Sequence, residues 1–209
     1  GLKAKWSPLL LVLPPVLFTF FASFIPFISS GNIQLQHINW VPSLGINFDF
    51  KLDGLSLLFT LMITGIGTAI FIYARKYLKG HPYFDRFFGY LFLFMSAMLG
   101  VVLSNNILLL FIFWELTSIS SFFLIGFNND NADSRKSALT ALSITGLGGF
   151  FLLASLILIG NIAGTYTISE LINSRDLLLK DPLYPLIIGL LFIGAFTKSA
   201  QFPFHFWLP

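Results

Sequence analysis

Glu115 and Lys198 are the two residues of this chain whose surroundings demand a chemical reason. Among twelve basic and nine acidic side chains, only these two lie deep inside long apolar stretches; the others precede, separate or edge them. A charge at the centre of a bilayer helix costs about 2.5–3.5 kcal/mol on insertion scales, so such residues mark ion or proton pathways. Low dielectric favours the neutral form of acids and amines alike, whereas a nearby opposite charge restores the ionised form. An acid and an amine within reach of each other therefore titrate together and can convert a change in separation into proton transfer. The other reading is a static Glu–Lys pair that fixes helix packing, although desolvation makes buried pairs weak sources of stability.

The sequence around each charge is polar on one side. Glu115 stands ten residues beyond Asn105, the expected start of its helix, or about 15 Å along the axis and near the bilayer midplane. Ser118 follows at i+3 and Phe122 at i+7, while Thr117, Ser120 and Ser121 enrich the same half-helix with small hydroxyls. Around Lys198, Gly194 lies at i−4, Gln201 at i+3 and His205 at i+7. Unbroken helical phase would aim Lys198, Gln201 and His205 one way, but Pro203 threatens that phase and makes a broken helix the expectation. His205 is the third relay candidate. His37 and His81 read as loop histidines without metal-ligand spacing, so no metal site or cofactor is expected.

The elements that carry these residues are membrane spans. The 209 residues are 56% hydrophobic and 10% charged, against about 25% charged in soluble domains. The mean hydropathy of +0.85 leaves no plausible water-facing surface. Six apolar segments, at 8–28, 53–74, 86–104, 106–127, 137–160 and 184–202, approach the roughly 20 residues that cross a hydrocarbon core. The expected fold is thus all-α, a polytopic transmembrane bundle forming one partial domain over 1–209. Gly146, Gly148 and Gly149 read as close-packing positions between spans. The 31–52 stretch reads as an interfacial loop, and 161–183 as a connection with a short surface helix capped by Thr167 or Ser169. Asp49 and Asp53 flank Lys51 at a solvated junction. Asp130, Asp133, Arg135 and Lys136 form a mixed-charge turn, with Asp133 or Ser134 near the start of the next helix.

Loop charge sets an orientation. Lys3, Lys5, Arg75, Lys76, Lys79, Arg86, Arg135 and Lys136 fall on the side of the N-terminus, while Lys51, Arg175 and Lys180 fall opposite. By the positive-inside rule the N-terminal side is cytoplasmic. No removable signal peptide is expected, since the first apolar run lacks a small-residue cleavage pattern. The absence of cysteine excludes disulfides, thiolate metal sites and cysteine nucleophiles. Phosphate-binding glycine loops, zinc-protease helices and nucleophile-elbow motifs are also missing, and nothing points to nucleic acid.

The stretches FIFWELTSISSFFLIGF (111–127) and GAFTKSAQFPFHFWLP (194–209) resemble the proton-translocating antiporter-like proteins. That family includes the large membrane subunits of respiratory NADH–quinone oxidoreductase and the first subunit of Mrp-type multisubunit Na+/H+ antiporters. The resemblance covers roughly residues 40–209. It implies that Glu115 and Lys198 are the central pair of a first half-channel. The segment SRKSALTALSITGLGG (134–149) and YTISELI (166–172) look like the Mrp form; at 145–148, Thr-Gly-Leu-Gly replaces the Arg-Val-Gly-Asp typical of the respiratory form. The implied activity is exchange of Na+ for H+ in the cell membrane. The implied partners are other Mrp-type subunits, the lipid bilayer, H+ and Na+, and the chain reads as part of a secondary transporter more than an enzyme. A respiratory proton pump and a structural membrane component remain the alternatives. Family members carry two inverted repeats, so the 209 residues read as a portion of such a protein that lacks an upstream span and the second half-channel.

Overall fold

The computed structural model describes residues 7–208; Lys3 and Lys5, two of the cations on the N-terminal side, lie outside the described residues. Among the described residues, eleven regular elements follow in chain order, apart from short 3-10 turns. They are α1 (Ser7–Ala22), α2 (Ile25–Ser29), β1 (Gln34–Val41), β2 (Ile46–Leu52), α3 (Gly54–Tyr77), α4 (Phe84–Leu103), α5 (Ile107–Ile125), α6 (Ala132–Ala163), α7 (Ile168–Leu171), α8 (Arg175–Lys180) and α9 (Tyr184–Lys198). Among the described residues, five segments are long and apolar enough to cross a membrane: Leu11–Ser29, Gly54–Tyr77, Phe84–Leu103, Ile107–Ile125 and Ala132–Ala163. The chain is an all-α polytopic membrane bundle with one small hairpin attached.

Its burial is inverted relative to a water-soluble bundle. Thr60, Thr64, Thr117, Ser120, Ser155 and Thr197 are among the most deeply buried side chains, whereas Ile66, Tyr73, Leu147, Phe150 and Phe192 face outward. Lipid rewards exposed apolar surface and requires hydroxyls to find partners inside the protein. Several do so locally: Thr64 donates to the Thr60 carbonyl at 2.6 Å and Thr145 to the Ala141 carbonyl at 2.8 Å. Ser155 instead donates across a helix boundary to the Ile187 carbonyl at 2.9 Å, fastening α6 to α9.

The helices pack in sequence order, α1 on α3, α3 on α4, α4 on α5 and α5 on α6, with the most extensive packing between α6 and α9. The bend within a spanning segment lies between α1 and α2. Pro26 sits in the first turn of α2, and its ring is incompatible with a helix continuing unbroken from α1. Pro14 and Pro15 are accommodated inside α1. Two aromatic-rich clusters, one around Phe21, Leu57 and Leu99 and one around Phe71, Phe88 and Met95, hold α1, α3 and α4 together.

Some local expectations are corrected and others gain detail. The 31–52 stretch is an antiparallel hairpin rather than an irregular loop, with pairing from Gln34↔Leu52 to Val41↔Ile46. Its signal is the strict alternation Ile46, Phe48, Phe50, Leu52 against Asn47, Asp49, Lys51, a two-residue period that belongs to a strand. Asp53 caps α3 by accepting from the Ser56 amide at 3.0 Å, and the Ser56 hydroxyl closes the capping box. Helix α6 is capped by Asn131, which accepts from the Asp133 amide at 2.8 Å; Asp133 and Ser134 are already helical. Helix α5 is likewise capped one residue later than expected, by Asn106. Gly146 meets no neighbour within 4 Å, unlike Gly148 and Gly149.

The connections at each end of the bundle are tied to one another. At one end, the Asn105 amide donates to the Asp49 carbonyl (2.7 Å), the Ile168 amide to the Asn105 carbonyl (2.7 Å), and the Ile107 amide to the Tyr166 carbonyl (2.9 Å). Asn106 adds a side-chain bond to the Gly45 carbonyl at 2.8 Å. Hairpin, α5 start and α7 are therefore one hydrogen-bonded unit. At the other end, Arg86 donates to the Phe127 carbonyl at 3.0 Å and the Tyr83 hydroxyl to Asp130 at 3.3 Å.

Candidate functional site

The site forms where α5, α6 and α9 meet, and each helix contributes for a local reason. Asn106 starts α5 by accepting from the Leu108 and Leu109 amides at 3.0 and 3.1 Å, and the adjoining hydrogen-bonded unit fixes where that start lies. Glu115 then falls nine residues further on, roughly 13 Å into the helix. Helix α9 has only 15 residues. At about 22 Å it is shorter than a hydrocarbon core of about 30 Å.

Helix α9 ends at Lys198. The next residues leave helical geometry: Ala200 has a left-handed φ of 51°, and the Gln201 amide reaches back to the Phe196 carbonyl at 3.0 Å. The latter bond satisfies one of the carbonyls that every helix C-terminus leaves open. A positive side chain in a last turn also complements the negative end of the helix dipole, and Lys198 occupies that position.

The Lys198 ammonium donates to Thr117 Oγ1 at 2.6 Å and Ser118 Oγ at 2.8 Å, and stands 5.6 Å from the centre of the Trp114 ring. All three partners lie on the α5 turn that also carries Glu115. No ion pair within 4.0 Å joins Glu115 to Lys198 among the described residues, where the ion pairs are His37–Asp49 and Lys51–Asp53. Glu115 Oε1 is buried without a hydrogen-bond partner among the described residues. It faces Gly149 of α6, where an added Cβ would sit 2.1 Å from that oxygen. Next door, a Cβ on Gly148 would lie 1.7 Å from Thr197 Oγ1, so this glycine permits the close approach of α6 and α9.

A cavity of about 180 Å³ opens beside the ammonium, with Thr117, Ser118, Ser121, Thr145, Lys198 and Trp207 among its walls. Liquid water occupies about 30 Å³ per molecule, so the space admits several waters, and its wall carries hydroxyls that can hold them. The arrangement can present an amine to water while hydroxyls contact it in either protonation state, since a hydroxyl both accepts and donates.

The structure brings Glu115 and Lys198 to one site and leaves His205 outside it. His205 lies in the 3-10 turn Phe204–Trp207, exposed, its ring stacked on Phe202 at 5.8 Å between centres. Helical phase does not persist past Lys198, so the i+7 relation loses its meaning. Trp207 folds back instead: its indole N–H donates to the Thr197 carbonyl at 2.9 Å. Sequence reasoning missed Trp207 and Thr145. A hydroxyl in the middle of an apolar helix is the available signal for Thr145, whereas nothing local points to Trp207.

A membrane bundle in which a short helix ends on a half-buried lysine, beside a half-buried carboxylate, defines an integral membrane protein with an internal ionisable site. The chain belongs to the family described as NADH:quinone oxidoreductase/Mrp antiporter, TM, whose model matches residues 104–209. A second model, described as NADH-Ubiquinone oxidoreductase (complex I), chain 5 N-terminus, matches residues 38–88. Within the family the similarity runs to the first subunit of Mrp-type antiporters. The chain is 47% identical over 194 residues to a probable K(+)/H(+) antiporter subunit of Rhizobium meliloti, covering 93% of this chain and 19% of that protein. It is 47% identical over 200 residues to a Na(+)/H(+) antiporter subunit of Alkalihalophilus pseudofirmus, covering 95% of this chain and 25% of that protein. A chain in the structure of the Mrp complex from Dietzia sp. DQ12-45-1b superposes with a TM-score of 0.80 at 32% identity, over 98% of this chain and 23% of that one. The chain thus spans a quarter or less of the length of these three proteins.

Proposed function

We propose that this chain contributes a first half-channel to a multisubunit Mrp-type cation/proton antiporter that exchanges Na+ for H+. Lys198 loads and releases a proton, and Glu115 governs its charge state from the same turn of α5 that holds the ammonium. The observation that carries this reading is the Lys198 ammonium resting on two hydroxyls at the wall of a hydroxyl-bearing cavity, with Glu115 close by but unbonded. A lysine locked to a carboxylate would have to break a charge-assisted bond before each transfer. A lysine on hydroxyls keeps hydrogen-bond partners in both protonation states. Similarity to Mrp-type antiporter proteins supports other Mrp-type subunits as partners, and the cation-rich end of the bundle supports a cytoplasmic placement of the Ser7 side.

The test uses the complete complex in sealed vesicles, with proton-coupled efflux measured for Na+ and for K+ because relatives named for each cation are equally similar. Lys198→Ala should abolish coupled efflux at unchanged assembly. Normal antiport by correctly assembled Lys198→Ala protein sinks the proposal. Glu115→Gln separates the relay from a structural pair. A relay predicts lower transport per assembled complex; a structural role predicts fewer complexes, each fully active.

A further inference from the structure

A second cavity, of about 280 Å³, lies at the opposite end of α5 from Asn106, where α4 and α6 begin. Two guanidinium groups line it, those of Arg86 and Arg135, together with Tyr90, Phe122, Phe123 and Asn129. Each arginine is partly committed: Arg86 donates one bond to the Phe127 carbonyl at 3.0 Å, and Arg135 one to the Asn129 carbonyl. A guanidinium has five N–H donors, so most of that capacity is left over. Arg86 Nε is buried with no acceptor among the described residues. No carboxylate lies within 4.0 Å of either arginine among the described residues, although Asp85, Asp130 and Asp133 are close in sequence; Asp130 accepts from Tyr83 instead.

Two like charges at one cavity repel unless an anion joins them. Arginine forks match phosphate oxygens in pairs, and a basic pocket between membrane helices on the cation-rich side suits an anionic headgroup. The aromatic half of the wall offers apolar surface that a free phosphate ion cannot use. Arg75, Lys76, Lys79 and Lys136 flank the same end of the bundle and would draw an anionic leaflet towards it. We propose that the Arg86–Arg135 cavity binds the phosphodiester headgroup of an anionic phospholipid, with the glycerol and first chain carbons lying against Tyr90, Phe122 and Phe123. This site adjoins the Lys198 cavity, with Phe122 in the wall of both, but it stands whether or not the relay reading does.

The experiment measures lipid retention by native mass spectrometry, and affinity in nanodiscs of phosphatidylglycerol or phosphatidylcholine, on the complete complex. Wild type should retain phosphatidylglycerol in preference to phosphatidylcholine. The Arg86→Gln/Arg135→Gln variant should weaken that retention roughly fivefold for each arginine removed. Arg75→Gln/Lys76→Gln, at the same end but outside the cavity, should weaken it clearly less than the cavity pair does. Because Arg86 also ties α4 to the end of α5, Arg135→Gln alone gives the reading if the double variant fails to assemble. Equal retention of phosphatidylcholine, or equal losses in both variant pairs, overturns the proposal. So does displacement of the lipid by millimolar inorganic phosphate alone, or a protein segment cross-linked into the cavity in place of lipid.

Discussion

At the scale of single residues, the two glycines of α6 that face the site differ in what they tolerate. A Cβ at Gly149 meets the carboxyl tip of Glu115, the far end of a flexible side chain, whereas a Cβ at Gly148 meets both Oγ1 and Cβ of Thr197, close to the α9 backbone. Gly149→Ala should therefore displace the Glu115 carboxyl and alter transport while the protein still assembles. Gly148→Ala should force α6 and α9 apart and cost about 1–3 kcal/mol, read as a lower unfolding midpoint in detergent. A different residue pair gives a pH signature outside the membrane. His37 and Asp49 are cross-strand partners in the hairpin, and hydrogen bonds that the imidazole donates to Asp49 and then to Asn39, with the Asp49 charge, hold the exposed ring above its ordinary value of 6.5. The stability this pair lends the hairpin is fully present below pH 6.5 and is lost as pH rises through the elevated value. An NMR titration should place the His37 midpoint above 6.5, and Asp49→Asn should lower it towards that value, with the Asn39 bond still raising it.

At the scale of elements, helix starts decide where chemistry falls along each axis. The cap at Asp53 sets the register of α3, and its carboxylate titrates below the usual range. Burial alone would raise it, but bonds from the Ser56 amide and hydroxyl and from the Lys51 ammonium outweigh that effect. Asp53→Ala should cost about 1 kcal/mol, measured by thermal unfolding in detergent. The stability it contributes is present at neutral pH and fades as pH falls through the depressed value. The apolar segments carrying α3 to α6 are legible in the sequence because twenty apolar residues have one inexpensive environment. The hairpin is legible in principle from alternation in 46–52, a signal that the loop-like composition of the stretch obscures. The end of α9 at Lys198 is only half legible: Pro203 announces a break, but the helix stops five residues before it, because the left-handed turn at Ala200 comes first.

At the scale of the whole molecule, hydrogen bonds group the hairpin, the Asn105–Asn106 turn and the 165–169 segment at one end, and the Tyr83, Arg86 and Phe127 turns at the other. The charge distribution predicts that the second end is cytoplasmic. As the chain contains no cysteine, single cysteines placed at Asn128 and Gln36 offer a clean check. A membrane-impermeant thiol reagent added outside intact cells should label Gln36→Cys and spare Asn128→Cys; the reverse pattern inverts the topology. Composition and order along the chain suffice to put it in a bilayer and to require partners for Glu115 and Lys198, because transfer costs are counted residue by residue. The identity of those partners emerges only once the helices are packed. Lys198 reaches Thr117 across 81 positions of chain, rests on hydroxyls instead of the carboxylate, and shares its cavity with a tryptophan that folds back from beyond the helix end. Such contacts depend on how three helices rotate and how closely two glycines let them approach, and no spacing along a single helix encodes that.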